Sequence, residues 1–230
     1  MIVIQTQDLH KTYDETRVPV RAVSGISLAF EEGEFTCVVG PSGSGKTTFL
    51  NMVGGLDAPT QGHVFINHTN MTALSSKALI DFRLNNIGFV FQSYNLIPVL
   101  TARENVEFIM LLQKRSRSER EHRAIELLTL VGLADKINKR PGELSGGEQQ
   151  RVAVARALAS KPRFILADEP TANLDSKSTE NLLDIMEKMN RDERMTFIFS
   201  THDARVVSKA HRVITIEDGR VKSDIMQQPH

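Results

Sequence analysis

"FTCVVGPSGSGKTTFL", Phe35 to Leu50, decides how the rest of the chain folds. Its first five residues are an apolar run of strand length, and Phe49, Leu50, Met52 and Val53 then fall at helical spacing. A buried strand therefore feeds a short buried helix, predicted from Lys46 to Leu56. Between the two, Gly40-Pro41-Ser42-Gly43-Ser44-Gly45-Lys46-Thr47 fits G-x-x-x-x-G-K-[ST], with Thr48 following. Glycines there let successive N–H groups converge on a polyphosphate, and the helix that follows points its positive end at the same place. Lys46 is then expected to reach the β and γ phosphates and the Thr47 hydroxyl to ligate Mg²⁺. The bland alternative is a glycine-rich turn with a surface lysine.

Upstream, "IVIQTQDL" (2–9) and "VSGISLAF" (23–30) read as strands, with "EEGE" as a turn. Downstream come a strand after "DAPTQG", a helix over "SSKALIDFRLNN" and a strand "IGFVFQ" ending at Gln92. The texture then changes. Thr101 and Glu104 form a T-x-x-E box opening a helix with Val106, Ile109, Met110 and Gln113, and a second helix holds Ile125, Leu128 and Val131. "KRSRSERE" between them reads as a solvated turn and helix start, with an anion site as the alternative. This helical lobe is placed at about 93–160 within a single unit spanning 1–230. Alternation resumes with strand "FILAD", helix "STENLLDIMEKMN", strand "TFIFSTH", a short helix and a hairpin around Asp218-Gly219. Such alternation argues for a parallel sheet covered by helices. The polar tail "DIMQQPH" is expected to fray.

The 230 residues suffice for one core with an inserted lobe. Equal numbers of basic and acidic residues, 28 each, give no overall attraction to nucleic acid or anionic lipid. Cys37, the single cysteine, excludes an internal disulfide and any cysteine zinc site, and suits a reducing compartment. The N-terminus lacks the basic start and apolar stretch of a leader. No run approaches the ~18 apolar residues of a spanning helix.

In "FILADEP", Phe164 to Pro170, an apolar strand ends in two acids, Asp168 and Glu169. Asp168 is placed to hold a metal through its water shell, and Glu169 to polarise an attacking water; the alternative is a solvated strand exit. His202 and Gln92 also stand at strand ends, at the edge where open α/β sheets bind ligands, though each could be an ordinary capping or surface residue. Ser145 and Glu148 form an S-x-x-E box, predicting Ser145 as N-cap of a helix with Val152 and Ala155 on its apolar face. Gly146 and Gly147 would leave its amide end uncovered, either as a second anion site or as an ordinary helix start.

Taken together these stretches resemble the nucleotide-binding subunit of ATP-binding cassette (ABC) transporters. "GPSGSGKTT" resembles its Walker A, Gln92 its Q-loop, "LSGGEQQ" its signature, "FILADE" its Walker B, "NLD" its D-loop and His202 its switch histidine. Tyr13 resembles the aromatic that stacks on adenine. The wording of "VFQSYNLIPVLTARENV", "KRPGELSGGEQQRVAVARAL" and "ADEPTANLD" resembles the lipoprotein-release, macrolide-export and cell-division branch, with Ala172 where that branch commonly has glycine. The resemblance implies an α/β fold: a P-loop NTPase (RecA-like) core, an N-terminal antiparallel β subdomain and an inserted helical lobe. It also implies ATP and Mg²⁺ as ligands, with Thr47, Gln92 and Asp168 on the metal, and hydrolysis with Glu169 as base and His202 on the γ-phosphate. A head-to-tail dimer is implied, in which Ser145, Gly146 and Gly147 of one subunit meet the nucleotide of the other and Asp175 couples the sites. Further expectations are membrane-spanning permease partners docking near Ser93–Leu100, with core packing beneath the helical lobe as the alternative for those side chains, a peripheral location on the cytoplasmic face of the membrane, and no nucleic-acid partner. A regulatory ATPase of a cell-wall hydrolase complex, and a soluble ATPase acting on DNA or ribosomes, are the competing readings.

Overall fold

Strand β1 (Ile2–Tyr13) organises the first of two sheets in the computed structural model, which describes residues 1–14 and 19–227. It pairs antiparallel with β2 (Val20–Ile26), β3 (Ala29–Glu31) and, further along the chain, Gln61–Ile66. The single strand expected over 23–30 is thus two strands, and the first begins earlier. The break follows from Thr6, a buried residue of β1. Its N–H donates to Leu28 O and its hydroxyl accepts from Leu28 N, at 2.8 and 2.9 Å, so the chain turns inward between β2 and β3.

Strand β4 (Phe35–Val39) enters the second sheet and helix α1 (Lys46–Val53) leaves it. The helix stops three residues short of Leu56 because Gly54 and Gly55 end it, Gly55 with φ 64°. Then come β5 (Gln61–Ile66), β6 (Thr69–Asn70), α2 (Ser76–Asn86) and β7 (Ile87–Val90). Next are α3 (Ala102–Leu112), α4 (Arg117–Leu130) and α5 (Gly146–Ala159), followed by β8 (Phe164–Asp168), α6 (Ser176–Glu193) and β9 (Thr196–Ser200). The chain closes through α7 (Ala204–Lys209), β10 (Arg212–Glu217) and β11 (Arg220–Met226).

The second sheet runs β11-β10-β4-β9-β8-β7, parallel throughout except for β11. Alternate residues of its strands go to opposite faces. Phe35, Cys37, Phe197 and Phe199 join Val106, Leu127, Val152 and Leu182 of the helices on one side. Val38, Leu166 and Ile198 join α1 and the first sheet on the other. Cys37 is a buried core residue, and burial pushes its thiol far above the ordinary range.

Both predicted capping boxes are formed, at Thr101–Glu104 and Ser145–Glu148, and Ser116–Glu119 makes a third inside "KRSRSERE". Three readings need correction. Ile125 is exposed on α4, whose buried face is Ala124, Leu127 and Leu128. Gln92 and His202 lie two residues beyond β7 and β9 rather than on them. Asp224 to Met226 do not fray, because β11 pairs them with Arg212 to Ile214 and the Gln227 amide donates to Val207 O and Ala210 O. The last three residues of the tail lie outside the described residues.

Candidate active site

The carboxyl edge of β4 opens into a cleft of about 640 Å³ lined by residues 20–22 and by the loop and helix start between Gly40 and Thr48. Gln92, Glu169, Ala172 and His202 complete its wall. Gly45, with φ 101°, caps α1 without a side-chain bond, so the first N–H groups of the helix remain available. A Cβ there would lie 2.1 Å from Ala22 O, and one on Gly40 2.0 Å from Ile216 O, so β2 and β10 both press on the loop. Gly219 N–H, in the turn between β10 and β11, donates to Ser44 O at 3.0 Å.

Lys46 Nζ donates to Gly40 O and Pro41 O, both at 2.9 Å, curling back over its own loop. Ser44 Oγ is buried without a partner. An orphan hydroxyl in the same loop as an ammonium bonded to carbonyls fits a site built for an anion.

Across the cleft, Thr47 Oγ1 donates to Asp168 Oδ1 at 3.0 Å. Burial raises the Asp168 pKa, opposed by the Ser200 and Thr47 hydroxyls. A hydroxyl and a carboxylate this close offer the hard oxygens that Mg²⁺ takes, and Mg²⁺ needs only one or two from protein when phosphates supply others. Among the described residues no group of three or more His, Cys, Asp and Glu forms a dedicated metal cage.

Glu169 leaves β8 in the left-handed region, φ 46°, and its N–H donates to Ser200 O at 2.8 Å. This strained turn sets its carboxylate beside His202, whose Nδ1 donates to Oε1 at 2.8 Å. Glu169 Oε2 is buried and unpartnered, an acceptor with room for one more donor such as water. Gln92 lines the same cleft, and its main-chain carbonyl accepts from Asn173 Nδ2 at 3.1 Å.

The remaining sequence-predicted residues lie elsewhere. Tyr13 ends β1 opposite Val20 but is not among the cleft-lining residues; its hydroxyl donates to Asp57 Oδ2 at 2.7 Å, and Lys11 Nζ lies 4.9 Å from its ring centroid. Ser145, Gly146 and Gly147 do not line the cleft either. Their glycines also serve packing within this chain: a Cβ on Gly147 would meet Ser178 Oγ at 2.5 Å, and one on Gly146 would meet Tyr94 Oη at 2.8 Å. Asp175 caps α6, accepting from Ser178 N at 2.9 Å and Ser178 Oγ at 2.7 Å.

Sequence reading missed several supports of the site. Gln150 Nε2 donates to Pro170 O at 2.8 Å, tying α5 to the turn after Glu169. Asp203 holds the turn after His202, accepting from Thr171 Oγ1 at 3.1 Å and from Arg205 through two nitrogens. Ala22 and Gly219 act through backbone atoms, which no motif spells.

The profile of the ABC transporter family matches residues 23–172. An uncharacterised ABC transporter ATP-binding protein of Thermotoga maritima is 47% identical, over 96% of this chain and 94% of that one. The macrolide export ATP-binding/permease protein MacB of Hyphomonas neptunium is 45% identical over 96% of this chain, which spans 34% of its length. A solved dimeric structure of the ATP-binding cassette MJ0796, in a post-hydrolysis state bound to ADP and Pi, superposes with TM-score 0.91 at 42% identity, covering 98% of this chain and 99% of that one.

Proposed function

The chain belongs to the ABC transporter family as an ATP-binding domain, and from that premise we propose that it hydrolyses ATP between two cassettes to drive membrane partner subunits. One observation carries the reading. The cleft gathers Lys46, Thr47, Gln92, Glu169 and His202 but leaves the Ser145-capped helix start outside, an arrangement that supports a second subunit supplying that wall.

In this reading the loop N–H groups of Gly40 to Thr48 and the open end of α1 hold the phosphates. Lys46 exchanges its bonds to Gly40 O and Pro41 O for the β and γ phosphate oxygens. Thr47, Asp168 and Gln92 would hold Mg²⁺, which supplies neutralisation of the charge on those oxygens. Glu169 takes the water proton at its vacant Oε2, while His202 keeps the carboxylate turned and reaches the γ-phosphate. Tyr13 contributes at the adenine. The helix start at Ser145, Gly146 and Gly147 of the second cassette grips the phosphate from the other side, and Asp175 stands between the two sites.

The ABC cassette with ADP and Pi described above is a dimer, which supports the pairing of two such chains. Among the described residues no helix is long and apolar enough to cross a membrane. In this reading permease subunits hold the cassette to the cytoplasmic face of the membrane. Their docking is read at Ser93–Leu100, where Val99 is 71% exposed while Leu96 packs on the core. Export or extraction is the reading that the macrolide-export relative supports.

Glu169→Gln tests this. The variant is expected to bind ATP, to lose turnover by about 10²-fold or more as the base is removed, and to accumulate as an ATP-bound dimer in light scattering. A variant that stays monomeric with ATP and still turns over at the native rate contradicts it.

A further inference from the structure

Tyr94 and Asn95 are consecutive non-glycine residues in the left-handed region, with φ 57° and 51°. Such a pair persists only where its surroundings hold it. Its own N–H groups make turn bonds, Tyr94 N to Phe91 O and Asn95 N to Ser93 O, and its carbonyls are held by Arg156, in the last turn of α5. Its Nη2 donates to Tyr94 O at 2.8 Å and its Nη1 donates to Asn95 O. The guanidinium is partly buried and has no carboxylate partner among the described residues; its charge is spent on two main-chain carbonyls. A planar fork suits two adjacent acceptors, whereas an ammonium presents a single point.

The same loop touches α5 a second time. Tyr94 lies along the helix, its carbonyl at Arg156 and its phenol against Gly146 in the first turn. Two residues earlier is Gln92, inside the cleft.

We propose that Arg156 is a positioning residue for Gln92: it locks the turn that follows Gln92 onto the helix whose other end is Ser145, so the glutamine and that helix start shift together. Arg156 itself does not line the cleft. This rests on the reading of Gln92 as a residue that meets the nucleotide and its metal.

The test uses the full chain with Arg156→Lys, which keeps charge and stem but not the fork, and Arg156→Met, which removes every donor. Hydrogen exchange without nucleotide should quicken about tenfold at amides 93–97 in Arg156→Met. Turnover should fall about five- to tenfold with the ATP KM within twofold, and in a Gln92→Ala background the same substitution should change turnover less than twofold. Arg156→Lys should fall between native and Arg156→Met. Unchanged exchange in Arg156→Met overturns the lock, and an equal fold-loss with and without Gln92 overturns action through Gln92 by exposing a merely structural role. Full turnover by Gln92→Ala alone would instead fail the underlying reading of Gln92, while the exchange measurement still decides whether Arg156 holds the turn.

Discussion

Arg212 shows how a residue remote from the chemistry shapes the cleft. It starts β10, with its side chain 12% exposed. Two nitrogens donate to Asp224 at 2.7 Å, Nη1 donates to Ala29 O and to Glu34, and the guanidinium lies 5.3 Å from the Phe30 ring centroid. It thereby fastens β10 and β11, whose backbone presses on Gly40 and bonds Ser44. Arg212→Met should destabilise the chain by about 3 kcal/mol in urea unfolding, the lower end for breaking a buried pair because Asp224 keeps some solvent. Arg212 holds the Asp224 carboxyl below its ordinary range. A depressed folded pKa gives stability that is full above the unfolded value, about 3.9, and is lost as pH falls through the folded one, so the native advantage over Arg212→Met should shrink below about pH 4.

Helix α5 carries the Ser145 start at one end and Arg156 near the other, and the rest of it is mostly buried. Its first turn shows why two glycines stand there. The S-x-x-E box explains the cap, yet a Cβ on Gly147 would come within 2.7 Å of Ser178 Cβ on α6. Gly147→Ala should therefore force α5 and α6 apart and lose roughly 1–3 kcal/mol by thermal or urea denaturation, as overpacking does. Adding Ser178→Gly should recover part of that stability. A double variant no more stable than the sum of its parents would mean the contact is not the cause.

On the function proposed above, the whole molecule is half of a site. If the Ser145 end acts on a second subunit, mixing Lys46→Ala chains with Ser145→Arg chains should restore one intact composite site per mixed dimer. ATPase in the mixture should rise clearly above either parent. A mixture no more active than its parents would count against action across the interface. Within the chain, Asp175 caps α6 through Ser178, and Ser178 in turn abuts Gly147.

What the sequence by itself determined is local. The Gly40–Thr48 loop between a buried strand and a helix, the capping boxes at Thr101 and Ser145, and the strand carrying Asp168 are each specified within a few residues by turn chemistry, hydrogen-bond satisfaction and apolar period. The order of those pieces then made the family legible. What only the tertiary structure decided is which distant groups meet: Glu169 with His202, Gln92 with Asn173, Arg156 with the turn at Tyr94, and Gly219 with Ser44. The two-residue overhang of Gln92 and His202 past their strands belongs here too. Many of these contacts end on backbone atoms, which carry no side-chain signature, and all join segments far apart in the chain, so they exist only once the sheets have closed and the helices have packed on them.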